Sequence, residues 1–151
     1  MAEEKTKLVI TPVTLHIGDF VPMNRQVMSF TMSFNQPTDA DGQVSGVVRG
    51  GKITLRVKAY NDGNYNLARW MISNSETHDG SLFFRNTKND QTMKEVKFTE
   101  AYCVNYVEHW EDDIFDPVLA HWEEITISCK AIFCSGTLDF KNEWKLQYGE
   151  E

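Results

Sequence analysis

Two-residue alternation of apolar and polar side chains predicts a β-rich protein with one short helix. Three runs carry that prediction. In Met28–Phe34, Met28, Phe30, Met32 and Phe34 alternate with Ser29, Thr31 and Ser33. Ile53, Leu55, Val57 and Ala59 alternate with Thr54, Arg56, Lys58 and Tyr60. Ile125, Ile127, Cys129, Ala131 and Phe133 alternate with Thr126, Ser128 and Lys130. A strand sends successive side chains to opposite faces, so each run turns one face into a core and the other toward water or a partner.

In chain order, the expected elements begin with a strand at Val13–Ile17, followed by the Met28–Phe34 and Ile53–Tyr60 strands. The helix is expected at Asn66–Ile72, where Leu67, Trp70 and Met71 fall at i, i+3 and i+4 and form one apolar stripe. Shorter strands are expected at Ser81–Arg85, Glu95–Phe98 and Tyr102–Val107, then the Ile125–Phe133 strand and a last one at Asn142–Gln147. Turn chemistry separates them at Pro37–Gly42, Asn61–Gly63, His78–Gly80 and Lys88–Asp90. Asp113–Ala120, with Pro117 inside it, reads as a longer loop between strands.

The chain has 151 residues, a length that suits one domain, with residues 1–7 and 145–151 as tails. At 41% hydrophobic residues, including nine Phe, five Tyr and four Trp, it has the material for a packed core. Twenty-two acidic residues against 15 basic ones give a net charge of −7. That balance disfavours nonspecific nucleic-acid binding and docking on anionic membranes, so neither partner is expected. No stretch approaches the ~20 apolar residues that cross a bilayer. The mixed-charge start, Met1-Ala-Glu-Glu-Lys-Thr-Lys, leads into no apolar h-region, so no secretory signal is expected. Three cysteines, Cys103, Cys129 and Cys134, fit reduced thiols in a cytoplasm better than a disulfide framework.

Several motifs invite a chemical reading and fail it. Gly46-Val-Val-Arg-Gly-Gly-Lys52 matches the spacing of a phosphate loop. Position 53 is Ile where magnesium needs Ser or Thr, and the glycines run into a strand and not a helix N-terminus. Val47 and Val48 in that glycine-flanked stretch then ask for a partner chain, because apolar loop residues mark contacts. His109-Trp110-Glu111 and His121-Trp122-Glu123 echo each other around an acidic loop. Pairing of their strands would bring both imidazoles toward Asp112, Asp113 and Asp116, but the spacing fits neither zinc nor EF-hand ligation. Asp39-Ala-Asp41-Gly42 opens like a calcium loop and reads as a plain turn. Cys129 and Cys134, five apart, would point to opposite faces of a continuous strand, so inert buried thiols are expected. No nucleophile elbow or triad order is distinctive. No cofactor, no metal and no enzyme activity are therefore expected.

Read together, the segments Phe34–Gly42, Val48–Leu55, Trp70-Met71-Ile72, Asp79–Phe83, Thr92–Phe98, Glu100–Val104, Ile125–Ala131 and Asn142-Glu-Trp144 stand in one order. Their succession resembles the type VI secretion tube protein, the haemolysin-coregulated protein family called TssD, in its Bacteroidetes branch. The likeness runs from Leu8 to Trp144; each segment is short, and the order and spacing carry it. The resemblance implies a compact β-barrel or two-sheet domain with one helix on its side. It also implies assembly into hexameric rings that stack into a tube inside a contractile sheath. Sheath and spike components and small effector proteins in the lumen are the implied partners, and the implied route is cytoplasmic synthesis followed by export through the apparatus. The family's extended loop between the second and third strands corresponds to Thr38–Lys52. Val47, Val48, Arg49, Gly50 and Gly51 are thus the expected ring-stacking residues. Tyr60, Phe83 and Ile132 sit at the polar-face parity of their strands and are the candidates for contact between neighbouring subunits. The competing reading is a ligand- or carbohydrate-binding β-domain that uses exposed Trp and the acidic loop.

Overall fold

A computed structural model describes residues 13–18, 20, 25–59, 63–85, 91–112, 115–116, 120–142 and 144. The strands are β1 (Val13–Ile17), β2 (Arg25–Asn35), β3 (Arg49–Lys58), β4 (His78–Arg85), β5 (Thr92–Trp110), β6 (His121–Ser128), β7 (Ala131–Cys134) and β8 (Leu138–Lys141). One helix, α1 (Asn66–Ile72), lies between β3 and β4. Neighbouring strands follow the order β4-β1-β2-β3-β6-β5-β7-β8, all antiparallel. β4 also pairs with β5, which closes six strands into a barrel and leaves the β7–β8 hairpin attached to the outside of β5.

The alternation reports the core faithfully on β3, where Ile53, Leu55 and Val57 have no exposed surface, and Ala59 just beyond its end has almost none. Leu15, Leu82, Val96, Phe98, Ile125 and Ile127 meet them from the other strands. On β2 the pattern is interrupted. Val27 lies opposite Val57, and Phe30 lies opposite Leu55 only because the register shifts between Val27 and Ser29. The extra residue is Met28, and it keeps Phe30, Met32 and Phe34 on the core side.

Bends explain the other differences from the sequence reading. The two expected strands Glu95–Phe98 and Tyr102–Val107 are halves of the 19-residue β5. It turns at Glu100, whose φ is +47° and whose amide donates to the Asp79 carboxylate at 2.9 Å. The first half pairs with β4 and β7, the second with β6. His78-Asp79-Gly80 is strand and not turn; a Cβ on Gly80 would collide with the Phe98 ring and the His16 carbonyl oxygen, so close approach selects the glycine. The expected Ile125–Phe133 strand breaks at Cys129–Lys130, and Ala131 and Ile132 are both buried beyond the break. The last strand comes earlier than expected, at Leu138–Lys141, and most of Asn142–Gln147 falls outside the described residues. The same holds for the Lys88–Asp90 turn, most of the Asn61–Gly63 turn and both tails.

The helix occupies its expected span. Seven residues are too few to hold a helix in water alone, and packing against β5 supplies the rest. Leu67 and Trp70 are buried. The Trp70 indole N–H donates to the Glu76 carbonyl at 3.2 Å, and its ring meets Phe20 and His78 edge-on.

Candidate functional site

The β2–β3 connection, residues 36–48, stands out from the barrel as a small self-braced hairpin. Thr38 and Val44 form a bridge. The Asp39 carboxylate accepts from the amides of Asp41 at 2.9 Å and Gln43 at 3.0 Å. Asp39 thus works as a turn former, and Gly42 supplies the positive φ of +83° that the turn needs. Val44, Val47 and Val48 are left on the surface at 54%, 55% and 39% exposure. Internal hydrogen bonding braces the loop while its apolar side chains stay uncovered, which makes it a candidate contact surface.

Of the five residues expected in the ring-stacking loop, only Val47 and Val48 lie in it. Arg49, Gly50 and Gly51 begin β3. Ser33 lies opposite Lys52 and Phe34 opposite Gly50, so Gly51 is the extra residue of a bulge. Its φ is +72°, and a Cβ there would stand 3.0 Å from Asn142 Nδ2, 3.1 Å from the Cys129 carbonyl oxygen and 3.1 Å from the Phe140 ring. Asn142 Nδ2 donates to the carbonyls of Gly50 and Cys129, both at 2.9 Å, and ties the end of β8 to the bulge. The glycines that mimic a phosphate loop therefore serve close backbone packing.

Among the expected subunit contacts, Tyr60 lies outside the described residues. Phe83 is half-buried, edge-on to His16 with ring centres 5.1 Å apart and with the Arg85 guanidinium 5.7 Å above it. Ile132 has no exposed surface and belongs to the core, because the interruption of the strand at Cys129–Lys130 reverses the parity that would place it outside.

The two histidines of the His-Trp-Glu echo do not converge. His109 lies opposite Trp122, and Trp110 lies opposite His121, which puts the imidazoles on opposite faces of the β5–β6 pair. His109 bonds Glu111 at 2.9 Å and His121 bonds Glu108 at 2.9 Å. Among the described residues, no three of His, Cys, Asp and Glu gather as a metal site would require. Burial raises the thiol pKa of Cys103 to about 11 and of Cys129 to about 12, and it raises Cys134 as well. Of the tryptophans, Trp70 is in the core, and Trp122 carries Arg56 3.9 Å over its ring and His109 stacked on it. Only Trp110 and Trp144 have substantial open surface, and Trp144 leans on Tyr102.

One buried polar cluster is not among the sequence expectations. Arg25 and Glu123 are 6% and 3% exposed and pair at 2.6 Å. Arg25 also donates to the Lys58 carbonyl at 2.9 Å, and the Tyr106 hydroxyl donates to Glu123 at 2.6 Å. Burial first, and the Glu123 carboxylate second, hold the Tyr106 phenol far above its ordinary pKa. Beside it, Glu108 accepts from Tyr65 at 3.1 Å, which raises the Tyr65 phenol too. The signal in the sequence is Glu123 itself, a carboxylate two residues before Ile125 at the inward parity of β6.

The profile of the family described as haemolysin coregulated protein Hcp (TssD) matches residues 5–145. The chain belongs to that family. It is a tube-protein family of type VI secretion, as the order of the segments implied. Hcp1 from Flavobacterium johnsoniae is 33% identical, with a TM-score of 0.73 over 86% of this chain and 98% of that one. Hcp1 from the E. coli EAEC 042 pathovar, in a double-mutant form, is 15% identical, with a TM-score of 0.68 over 90% of this chain and all of that one. A chain of the sheath–tube complex of an extracellular contractile injection system, PVC, is 15% identical, with a TM-score of 0.54 over 88% of this chain and 99% of that one. Among curated proteins no sequence match was found. The Flavobacterium likeness agrees with the Bacteroidetes branch of the Hcp family, and the barrel with its side helix is the Hcp fold. The braced valine loop and the Gly50-Gly51 bulge are thus features of an Hcp-family tube domain.

Proposed function

We propose that this chain is a structural subunit of a type VI secretion inner tube whose role lies in shape and contact surfaces, not in reactivity. Copies of the domain close into a hexameric ring through heterologous contacts, in which one face of each subunit meets a different face of the next. The half-buried Phe83 is retained as a contact residue between neighbours. Rings stack through the 36–48 hairpin, with Val47 and Val48 seated on the adjoining ring and Arg49 at their base. Contraction of a sheath drives the tube and its spike outward, together with small effectors held in the lumen, so the protein leaves the cell through the apparatus it builds.

The observation that carries this reading is the hairpin. It uses its hydrogen bonds for its own rigidity and leaves three valines uncovered. A partner that buries them recovers their transfer free energy without an ordering cost, which is the advantage of a preorganised contact. Size-exclusion chromatography with light scattering, followed by negative-stain microscopy, tests the proposal. Annular particles of one size, lengthening into tubes at high concentration, are expected. A strictly monomeric species at high concentration overturns it.

A further inference from the structure

The outward face of β3 is almost entirely basic. Gly51, Ile53, Leu55 and Val57 are buried, and Arg49, Lys52, Thr54, Arg56 and Lys58 remain on the other side. Four of those five are cations, in a chain whose net charge is −7. Cations on exposed edge strands commonly guard against strand addition, but β3 is central, paired along its length with both β2 and β6. Its lateral neighbours on this face bring little neutralisation. Ser33 and Ser128 flank Lys52, Thr31 and Thr126 flank Thr54, and Ser29 and Glu124 flank Arg56. Asn35 lies beside Arg49, and Trp122 beside Lys58. Glu124 pairs with Arg56 at 3.1 Å. Among the described residues Arg49, Lys52 and Lys58 have no ion pair. At about 3.3 Å per residue the stripe is roughly 30 Å long.

We infer that this face docks an acidic polypeptide surface. Like charges two apart on one strand face repel, and an acidic partner converts that repulsion into attraction. The flanking hydroxyls add short donors and acceptors that suit carboxylates and backbone amides. A nucleic acid fits less well. The aromatic ring beside the stripe, Trp122, already has Arg56 over it and His109 stacked on it, so a base finds no open stacking platform there. A long phosphate backbone would also meet the acidic remainder of the chain. The face belongs to the single chain, and the inference stands whether or not rings form; in the tube reading the acidic partner is a protein that the tube handles.

The test uses the full chain and a fluorescent glutamate oligomer, with binding read by anisotropy at low salt and at about 0.5 M salt. Light scattering on the same samples reports assembly separately. Binding that salt weakens is expected, and Lys52→Glu/Lys58→Glu should weaken it by about tenfold or more. A matched reversal on the first half of β5, Lys94→Glu/Lys97→Glu, gives the same net charge and should leave affinity within about twofold. The inference is overturned if the oligomer does not bind, if both double variants lose binding equally, or if a single-stranded oligonucleotide of matched charge binds more tightly.

Discussion

Replacing Val48 by Asp should dissolve the stacking of rings and leave the subunit folded and the ring closed. Val47 is 55% and Val48 39% exposed, so covering both removes roughly one valine's worth of apolar surface. That is worth about 2 kcal/mol per subunit. In the proposed hexameric ring the contact would repeat six times, giving roughly 12 kcal/mol per ring-to-ring junction before association entropy is subtracted. An aspartate at position 48 forfeits part of this and adds the desolvation of an unpaired carboxylate in every copy, a cost of several kcal/mol per ion. In the proposed junction that cost offsets what the two valines contribute. In the isolated subunit the same change sits on the surface of a loop that is held by Asp39 and the Thr38–Val44 bridge, so its effect on folding should stay within about 0.5 kcal/mol. Negative-stain images of wild type and variant at matched concentration, with thermal melts of both, separate the two effects. Single rings without tubes, at an unchanged melting temperature, are expected. Tubes of undiminished length in Val48→Asp would refute the assignment of the hairpin to stacking.

Three further expectations concern what holds the barrel together. Arg25→Met strands the buried Glu123 carboxylate and should cost about 3–5 kcal/mol in urea unfolding. Arg56→Met breaks the partly exposed pair with Glu124 and should cost less than about 1 kcal/mol; equal costs would contradict the burial argument. Gly51→Ala places a Cβ among Asn142, Cys129 and Phe140 at positive φ and should cost about 1–3 kcal/mol. Gly136→Ala, also at positive φ but with open space around it, should cost less, and paired denaturation curves decide. Folding raises the Cys103 and Cys129 thiols from 9.0 to about 11 and about 12. The folded state therefore holds those protons longer than the unfolded state does. Stability should fall as pH rises above 9 through that window, and a thiol reagent at pH 8 should label these two residues only after unfolding. Rapid labelling of both in the native protein would show that they are accessible.

The inward faces are legible in the sequence because alternation measures burial directly wherever a strand runs straight. Ile53, Leu55, Val57, Ile125 and Ile127 all fall where the pattern puts them, and α1 matches its expected span because Leu67 and Trp70 set both its period and its anchor. Parity fails wherever one residue is inserted. Met28 on β2 and Glu100 on β5 shift their strands by one position, and a local pattern has no means of seeing a bulge that exists to match a partner strand. Ile132 departs from its expected face for the same reason: an alternation read straight through Cys129–Lys130 crosses a turn. Gly80 looks like a turn residue in the sequence because Asp-Gly is turn chemistry, whereas its cause is the Phe98 ring from a strand eighteen residues away.

The candidate contact surfaces are legible to a different degree, and the reason is physical. Val47 and Val48 can be singled out because an apolar residue in a polar loop violates the local rule, and local violations are where partners leave their mark. The basic stripe on β3 violates no local rule, since Arg and Lys are ordinary outward residues of a strand. It becomes informative only once β3 is known to be central, for then the cations cannot be edge guards, and their neighbours on β2 and β6 prove to be mostly hydroxyls and not carboxylates. The Arg25–Glu123–Tyr106 cluster lies between these cases. Glu123 at inward parity is a visible violation, but its partner lies 98 residues away in sequence and only the closed barrel brings the two together. Pattern alone therefore singles out a candidate surface whose violation is local, and topology is needed for a feature whose compensation is distant. The charge reversal on β3 and the substitution of Val48 probe one surface of each kind.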